Sequence, residues 1–310
     1  MSKLNKIRRA YIAGGLIVLL CHIVGYFWRQ FIWLWLRMCT PNFLVERKIK
    51  GNRMFLSLRD FGISRELLVF GEHEPISTKI LHEQLKKGMR VVDIGANIGY
   101  YVLQEACLVS NHGEVLAIEP VPDNFTLLKM NIGANSYQNI QSFQLAIGVE
   151  NETRKMYLSR ESNLCSLTQQ IGIHDSFVDV PVMTLNSFLK RIGKIDFIRM
   201  DIEGYEVKVI DGMLDILNKD KPKMMVEIHP VIVGGEPIIG FLEKLKNINY
   251  DTTFVIGRVF DNPVVIKGRH LERLSLDALI ADKRITNAVD AFIVFLEVSN
   301  QASLKRVDKL

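Results

Sequence analysis

Seven short apolar segments recur between Met89 and the C-terminus, and segments with helical spacing separate most of them. The apolar segments are MRVVDIG, EVLAIEP, IQSFQLAIG, IDFIRMDI, KMMVEIH, DTTFVIG and DAFIVFLEV. Runs of this length are typical of buried strands, and strands joined through helices pair in parallel with right-handed crossovers. The alternation therefore predicts an α/β fold, a Rossmann-like, doubly wound domain with a mostly parallel seven-stranded sheet.

A long apolar run precedes this domain. From Ala10 to Trp28 the sequence reads AYIAGGLIVLLCHIVGYFW, which is apolar apart from His22 and close to the roughly 20 residues that cross a bilayer. Bulky aromatics and arginines follow it instead of a small-residue cleavage site, which argues against a signal peptide. A buried soluble helix is the other alternative. We predict an N-terminal hydrophobic membrane-anchor helix and flank over 1–40, a linker and lead-in segment over 41–88, and the folded domain over 89–310.

Charge and cysteine usage narrow the range of partners. The net charge is +5, and much of it lies before residue 60, beside the apolar run, which indicates anionic lipid more than nucleic acid. No later stripe of Lys and Arg has interleaved aromatics, so we expect no nucleic-acid partner. The four cysteines are not spaced as a zinc site, a redox pair or a disulfide framework.

In doubly wound sheets, ligands bind outside the carboxyl ends of the strands. The first strand ends in the turn DIGANIGY, in which Gly95 and Gly99 permit a tight turn and close approach of a ligand. A dinucleotide fingerprint would place a glycine at Asn97. The carboxylate of Asp93 would repel phosphate but suit the ammonium and sulfonium charges of S-adenosylmethionine. The turn favours this methyl donor over NAD, with a plain glycine turn and an Asp93 bonded to its own loop as the structural alternative.

The next two strands end in residues suited to a nucleoside. Glu119 and Pro120 follow the second strand, where an acid accepts hydrogen bonds from both ribose hydroxyls. A surface glutamate is the alternative interpretation. Ala146 lies in the loop LAIG after the third strand, where small side chains and backbone groups frame an adenine ring.

Acidic residues crowd the ends of the fourth and fifth strands. Asp201 and Glu203 lie two residues apart, while Glu206 falls in the first turn of the next helix, where the dipole favours it. A crowded acid gains a raised pKa and acts as a base, two acids can hold a divalent metal, or the group simply caps the helix. His229 is a further candidate base or a structural residue. Our catalytic candidates are Asp201, Glu203 and His229, in that order, and we assign no metal ligands.

With these residues identified, the chain resembles the FkbM family of S-adenosylmethionine-dependent methyltransferases. The resemblance covers about Val91 to Pro230 and is carried, in the family's order, by VVDIGANIGYY, AIEPVPDNFTLLKMN, LAIG, PVMTLNSFL, IRMDIEGYE and MVEIHP. It implies the class I methyltransferase fold. The cofactor-binding residues on its motifs and on the strand ends are Asp93, Gly95, Asn97, Gly99, Tyr100, Glu119, Pro120, Asn124, Ala146 and Asp201. Asn131 falls on the second motif, and Asp201, Glu203 and Gly204 match the D-x-E-G turn. The family often has lysine at Arg199, and an arginine does not readily act as a base.

The resemblance implies methylation of hydroxyl oxygens on sugars, polyketides and related metabolites. Combined with the apolar N-terminus, it leads us to expect a small-molecule or lipid-linked glycan acceptor at the membrane surface. The catalytic domain should face the cytoplasm, because S-adenosylmethionine is cytosolic. A membrane-tethered binding module without catalysis and an NAD-dependent oxidoreductase are the alternatives, and the oligomeric state stays open.

Overall fold

The computed structural model describes residue 24 and residues 27–28, 31–40, 43–170, 172–190, 192–258, 261 and 271–299. The strands are β1 (Leu44–Ile49), β2 (Asn52–Ser57), β3 (Arg90–Ile94), β4 (Glu114–Ile118), β5 (Ile140–Phe143), β6 (Ala146–Ile147), β7 (Glu152–Leu158), β8 (Ser176–Met183), β9 (Phe197–Met200), β10 (Lys223–Ile228), β11 (Tyr250–Gly257) and β12 (Phe292–Val298). The α-helices are α1 (Ile63–Phe70), α2 (Pro75–Gln84), α3 (Tyr100–Val109), α4 (Pro122–Gly133), α5 (Leu185–Leu189), α6 (Glu206–Val209), α7 (Leu214–Asp220), α8 (Pro230–Val233), α9 (Gly235–Asn247), α10 (Leu276–Ile280) and α11 (Lys283–Thr286).

The central sheet has seven strands in the order β11-β12-β10-β9-β3-β4-β5. Neighbouring strands from β10 to β5 pair in parallel, and β12 runs antiparallel to both β10 and β11. The predicted mostly parallel seven-stranded sheet is therefore confirmed. Because β3 lies between β4 and β9, the loops that follow these three strands meet at one edge, where the strand order reverses.

The inner strands are apolar along their whole length because helices cover both faces of the sheet. Val91 and Val92 of β3 point to opposite faces and are both fully buried. Val92 belongs to a core shared with α5, α7 and α9, and Val91 to a core shared with α1, α2 and α3. A continuous apolar run is the pattern expected for such a doubly covered strand.

The lead-in segment is part of the second of these cores. Leu56 of β2, Leu67 of α1 and Leu81 of α2 are fully buried in the same cluster as Val91. The predicted strand MFLSL and helix ISTKILHEQL correspond to parts of β2 and α2, whereas β1 and α1 were not anticipated. The segment assigned as linker and lead-in, 41–88, thus shares a core with the domain assigned to 89–310.

Two predicted elements are divided in the structure. The segment IQSFQLAIG forms β5 in the central sheet and β6 in a separate three-stranded sheet of order β6-β8-β7. The segment EVKVIDGMLDIL is not one helix: α6, a 3-10 turn at Ile210–Gly212 and α7 follow one another. Gly212 has low helix propensity, which fits an interruption at this position.

The predicted membrane-anchor helix lies outside the described residues, apart from Val24, Phe27 and Trp28 at its end. Residues 31–39 are helical. Trp33 of this stretch is buried against Phe61, with 5.0 Å between the ring centroids. Within the described part of the chain, no helix has the length and apolar character needed to cross a bilayer.

Asn131 joins the β1–β2 hairpin to the glycine turn. Its Oδ1 accepts the Phe55 N–H at 2.6 Å, and its Nδ2 donates to the Ile98 carbonyl at 2.8 Å. The side chain is fully buried in α4. This asparagine, identified on a family motif, therefore bridges the backbone of β2 and the backbone of the glycine turn.

We expect Asn131→Ala to lower the free energy of unfolding by about 2–3 kcal/mol, because it leaves buried backbone groups without partners. Asn135→Ala is the matched control. Asn135, two residues beyond the end of α4, makes a similar bridge to the backbone of Arg53, but at the surface, where water replaces the lost bonds. Its expected loss is under about 1 kcal/mol. Denaturant unfolding measures both, and equal losses would contradict the role given to Asn131.

Candidate active site

An open cleft lies at the carboxyl ends of β3, β4 and β9. The cleft brings together nine of the predicted site residues: Gly95, Asn97, Tyr100, Glu119, Pro120, Asn124, Ala146, Asp201 and Glu203. Asp93, Gly99 and His229 are not among its lining residues. Residues from four separate sequence motifs thus converge, as the topology of the sheet predicts.

The glycine turn is shaped by close backbone contacts. Gly95 has φ of 87°, and a Cβ there would lie 2.0 Å from the Asp201 carbonyl oxygen. Gly99 has φ of 90°, and its Cβ would meet Leu128 Cδ1 at 2.7 Å. A side chain at Gly95 would force the loops after β3 and β9 apart, while one at Gly99 would displace the end of the Leu128 side chain and strain the left-handed backbone. Gly99 therefore shapes the turn and does not itself line the cleft.

Glu119 is held in the cleft by backbone amides. Its Oε2 accepts the Asn97 N–H at 2.8 Å, and its Oε1 accepts the Val121 N–H at 2.9 Å. Asn124 donates to the same Oε1 at 3.4 Å and to the Ser162 carbonyl at 3.3 Å, so it acts on the orientation of Glu119. Burial raises the pKa of Glu119 to about 7, although these three donors oppose the shift.

Asp93 lies beneath the cleft and not in it, which corrects the expectation that it faces the cofactor's charges. The residue is fully buried, and its Oδ1 accepts a hydrogen bond from Arg199 Nη1 at 2.8 Å. Arg199 also donates to the Gly95 carbonyl at 3.2 Å and to Asp201 Oδ2 at 3.3 Å. Its guanidinium carbon lies 4.3 Å from the centroid of the Tyr101 ring. The Arg199 charge offsets that of Asp93, so Asp201 is the carboxylate that faces the cleft.

Asp201 and Glu203 are the acids of the cleft wall. Asp201 Oδ1 is buried and has no hydrogen-bond partner. Burial and the nearby Glu227 carboxylate raise the pKa of Asp201 to about 7, against the effect of Arg199. Glu203 has a left-handed backbone with φ of 54°, and burial raises its pKa well above the usual range. Glu206 is fully buried and accepts the Ile202 N–H at 3.1 Å, so it closes the turn at the start of α6.

The environment of His229 does not fit the role of general base. The side chain is buried behind the cleft wall and lies 3.5 Å from one carboxylate oxygen each of Glu203, Glu206 and Glu227. These carboxylates raise the pKa of the imidazole well above its usual value, although burial acts in the opposite direction. A protonated imidazole has no lone pair with which to accept a proton.

Tyr100 lines the cleft, and its hydroxyl is bonded to the lead-in segment. Its hydroxyl turns away from the turn backbone, donating to the His73 carbonyl at 2.9 Å and lying 3.1 Å from Thr78 Oγ1. Ala146 and Pro120 line the cleft beside Glu119, as expected for the region next to a nucleoside.

Sequence reasoning missed two groups of residues at the site. One group comes from the insertion after β6: Met156, Ser162, Asn163, Cys165, Ser166 and Leu167 line the cleft. The other comes from the lead-in, where Tyr101 donates to Glu74 Oε2 at 2.6 Å and His73 contacts Glu74 Oε1 at 2.8 Å. The polar loop SNLCSL gave a weak signal for the first group. Nothing in the local sequence indicated the second.

The cleft suits S-adenosylmethionine on two observations. Glu119 presents a carboxylate positioned by three donors, which retains lone pairs for ribose hydroxyls. Asp201 offers a buried oxygen without a partner, which is costly unless a bound donor or cation satisfies it. A positively charged cofactor such as S-adenosylmethionine would satisfy this oxygen, whereas the Asp201 carboxylate would repel the phosphates of a dinucleotide.

Comparison with known proteins identifies the class. Residues 93–251 match the methyltransferase FkbM domain, and the chain belongs to this family. The hexuronic acid methyltransferase AglP of Haloferax volcanii is 27% identical over 208 residues, which cover 61% of this chain and 77% of that protein. S-adenosylmethionine is therefore the cofactor of this domain, and the NAD alternative is set aside.

Comparison with solved structures finds similarities at low sequence identity and low TM-score. Methyltransferase FkbM from Methylobacillus flagellatus has 18% identity and a TM-score of 0.33, over 53% of this chain and 42% of that one. M. jannaschii TYW2, solved in complex with AdoMet, has 14% identity and a TM-score of 0.43, over 83% of this chain and 88% of that one.

The affinity for S-adenosylmethionine should fall below pH 7. Glu119 has a pKa of about 7 in the free protein and binds ribose hydroxyls best as a carboxylate, so a protonated Glu119 competes with binding. We expect Kd to rise by up to roughly tenfold per pH unit as the pH falls from 7 to 5.5, measured by calorimetry on the full chain. Glu119→Gln should bind more weakly at pH 8 and show a shallower pH dependence, because Asp201, whose pKa is also raised to about 7, still titrates in that variant. The same slope in both proteins would contradict the assignment.

Proposed function

We propose that this chain is an O-methyltransferase acting on a hydroxyl of a sugar, a lipid-linked glycan or a related metabolite at a membrane surface. The observation that carries the proposal is the pair of acids, Asp201 and Glu203, in the wall of the cofactor cleft. Methylation of a hydroxyl needs a group that accepts its proton, whereas a carboxylate acceptor needs none. The similarity to AglP, named as a hexuronic acid methyltransferase, supports a sugar acceptor.

The residues of the cleft divide into binding and proton-accepting groups. When bound, S-adenosylmethionine supplies an electrophilic methyl group on a sulfonium sulfur. Glu119 would hold the ribose, Ala146 would frame the adenine, and Asp201 would face the positively charged end. Glu203 lies on the same wall and, once ionised, is able to take the proton from the acceptor oxygen. The remaining contribution is positioning of the two reactants, worth up to roughly 7–11 kcal/mol in favourable cases.

A membrane location is supported by the N-terminal sequence and by the residues that follow it. Val24, Phe27 and Trp28 are exposed, and the helical residues 31–39 expose Phe31, Leu34, Trp35 and Met38. Trp33 on the opposite side is buried against the domain, which fixes this apolar surface relative to the cleft. Aromatic side chains of this kind settle at the interface between lipid and water. We propose that the chain is anchored there with its catalytic domain in the cytoplasm.

The proposed chemistry is tested by methyl transfer from labelled S-adenosylmethionine to hexuronic acid glycosides. We expect a product that carries the label as an ether on a hydroxyl. Glu203→Gln should lower kcat by about 10² to 10⁴-fold while the Kd for S-adenosylmethionine stays within threefold. Glu161→Gln is the matched control, because Glu161 is an exposed residue beside the cleft loop and should leave kcat unchanged.

Two results would contradict this proposal. A labelled ester or amine as the product would exclude O-methylation of a hydroxyl. Tight cofactor binding without transfer to any hydroxyl acceptor would favour a tethered module without catalysis.

The proposed location is tested by flotation of the full chain with vesicles that contain about one third anionic lipid. We expect nearly all of the wild-type protein to float with the vesicles. Leu19→Lys and Leu20→Lys together should reduce this fraction severalfold, since charged residues at the centre of an apolar segment oppose insertion. Wild-type protein that stays at the bottom of the gradient would rule out membrane anchoring.

A further inference from the structure

Three polar side chains, one in the acidic wall of the cleft and two behind it, come together where two neighbouring strands end. Asp201 follows β9, Glu227 lies in β10, and His229 follows β10. The two strands pair in parallel, with Met200 opposite Val226. One ligand atom of each of the three residues lies within 4.8 Å of the others. Rigid, adjacent strands therefore hold two carboxylates and one imidazole close together.

The imidazole of His229 lacks the hydrogen bonds that its burial requires. Only 4% of the residue is exposed, and its Nδ1, which lies 3.5 Å from Glu206 Oε1, has no closer hydrogen-bond partner among the described residues. Its Nε2 lies 3.5 Å from Glu203 Oε2 and 3.5 Å from Glu227 Oε1. These separations exceed the usual 2.7–3.2 Å of an N–H···O bond.

The charges around His229 are not balanced by arginines. Arg199 forms ion pairs with Asp93 and Asp201, and Arg258 forms ion pairs with Glu74 and Glu227. Within the described ranges, neither Glu203 nor Glu206 has a guanidinium partner. Arg258 Nε contacts Glu227 Oε1, so the carboxylate keeps its second oxygen for an ion. A protonated imidazole at His229 is the cation next to these two carboxylates, and a bound metal ion would take over that role by displacing its proton.

The positive charges of S-adenosylmethionine do not reach Glu227 and His229, the two residues of the cluster that lie behind the cleft wall. Asp201 lines the cleft, whereas Glu227 and His229 are not among its lining residues. A cofactor in the cleft therefore reaches the outer edge of the cluster only. The inner part calls for a small cation.

We propose that Asp201, Glu227 and His229 bind one divalent cation that accepts mixed oxygen and nitrogen ligands, such as Mn²⁺. The role of this ion rests on the proposed function. Next to the cleft wall, it is positioned to bind the acceptor hydroxyl and make its proton easier to remove. With Asp201 occupied as a ligand, Glu203 is the carboxylate left to accept that proton.

The direct test is Mn²⁺ binding to the metal-free full chain, followed by electron paramagnetic resonance without any acceptor. We expect one site per chain, with nitrogen coupling from an imidazole in the pulsed spectrum. His229→Gln and Glu227→Gln should each weaken binding at least tenfold, and His229→Gln should abolish the nitrogen coupling. Glu105→Gln is the matched control, because Glu105 is also a fully buried glutamate but lies in α3, and its Mn²⁺ affinity should be unchanged.

The absence of a Mn²⁺ site in folded wild-type protein would overturn the inference, as would a site without nitrogen coupling. The wild-type spectrum decides the matter even if a variant fails to fold. The proposed methyltransferase chemistry is judged separately. Methyl transfer by metal-free protein would refute the role of the ion and leave the chemistry standing. A bound ion without methylation of any hydroxyl would refute the chemistry and leave the metal site standing.

Discussion

The guanidinium of Arg199 connects the parts of the site that come from different strands. It pairs with Asp93 at the end of β3, donates to the Gly95 carbonyl in the glycine turn and reaches Asp201 after β9. The Tyr101 ring covers its face. Removing one partner of a buried ion pair typically costs about 3–5 kcal/mol, because the other charge is left uncompensated. The positions of the turn and of the acidic wall both depend on this one side chain.

This arrangement defines the role of Arg199 in the site. Arg199 makes its contacts as a planar fork of donors, and its role in the structure is to pair with carboxylates and not to exchange protons. Proton transfer is left to the acids of the cleft wall. Burial beside Glu227 raises the pKa of Asp201, and burial raises that of Glu203, so the two carboxyl groups differ from ordinary surface acids.

The sheet and the cleft could be predicted because both follow from local patterns. Apolar runs such as VVDI and MVEI mark doubly buried strands, and the sheet topology brings their ends together. The partners of buried charges could not be predicted in this way. Asp93 looks like a cofactor-facing acid in the sequence, and only the position of Arg199, 106 residues away, shows otherwise. His229 resembles a general base until Glu203, Glu206 and Glu227 are seen around it. For the same reason the sequence did not show that the lead-in segment is part of the folded domain, because Leu56 and Leu67 are buried by strands that are distant in the sequence.

The central claim is that the cleft holds the cofactor with Glu119 at the ribose and Asp201 at the charged end. A crystal structure of the full chain with S-adenosylhomocysteine tests it most directly. The account predicts both ribose hydroxyls within hydrogen-bond distance of the Glu119 carboxylate, with the amino acid portion of the ligand on the side of the cleft where Asp201 lies. A nucleoside bound elsewhere, or bound in the cleft without contact to Glu119, would contradict it.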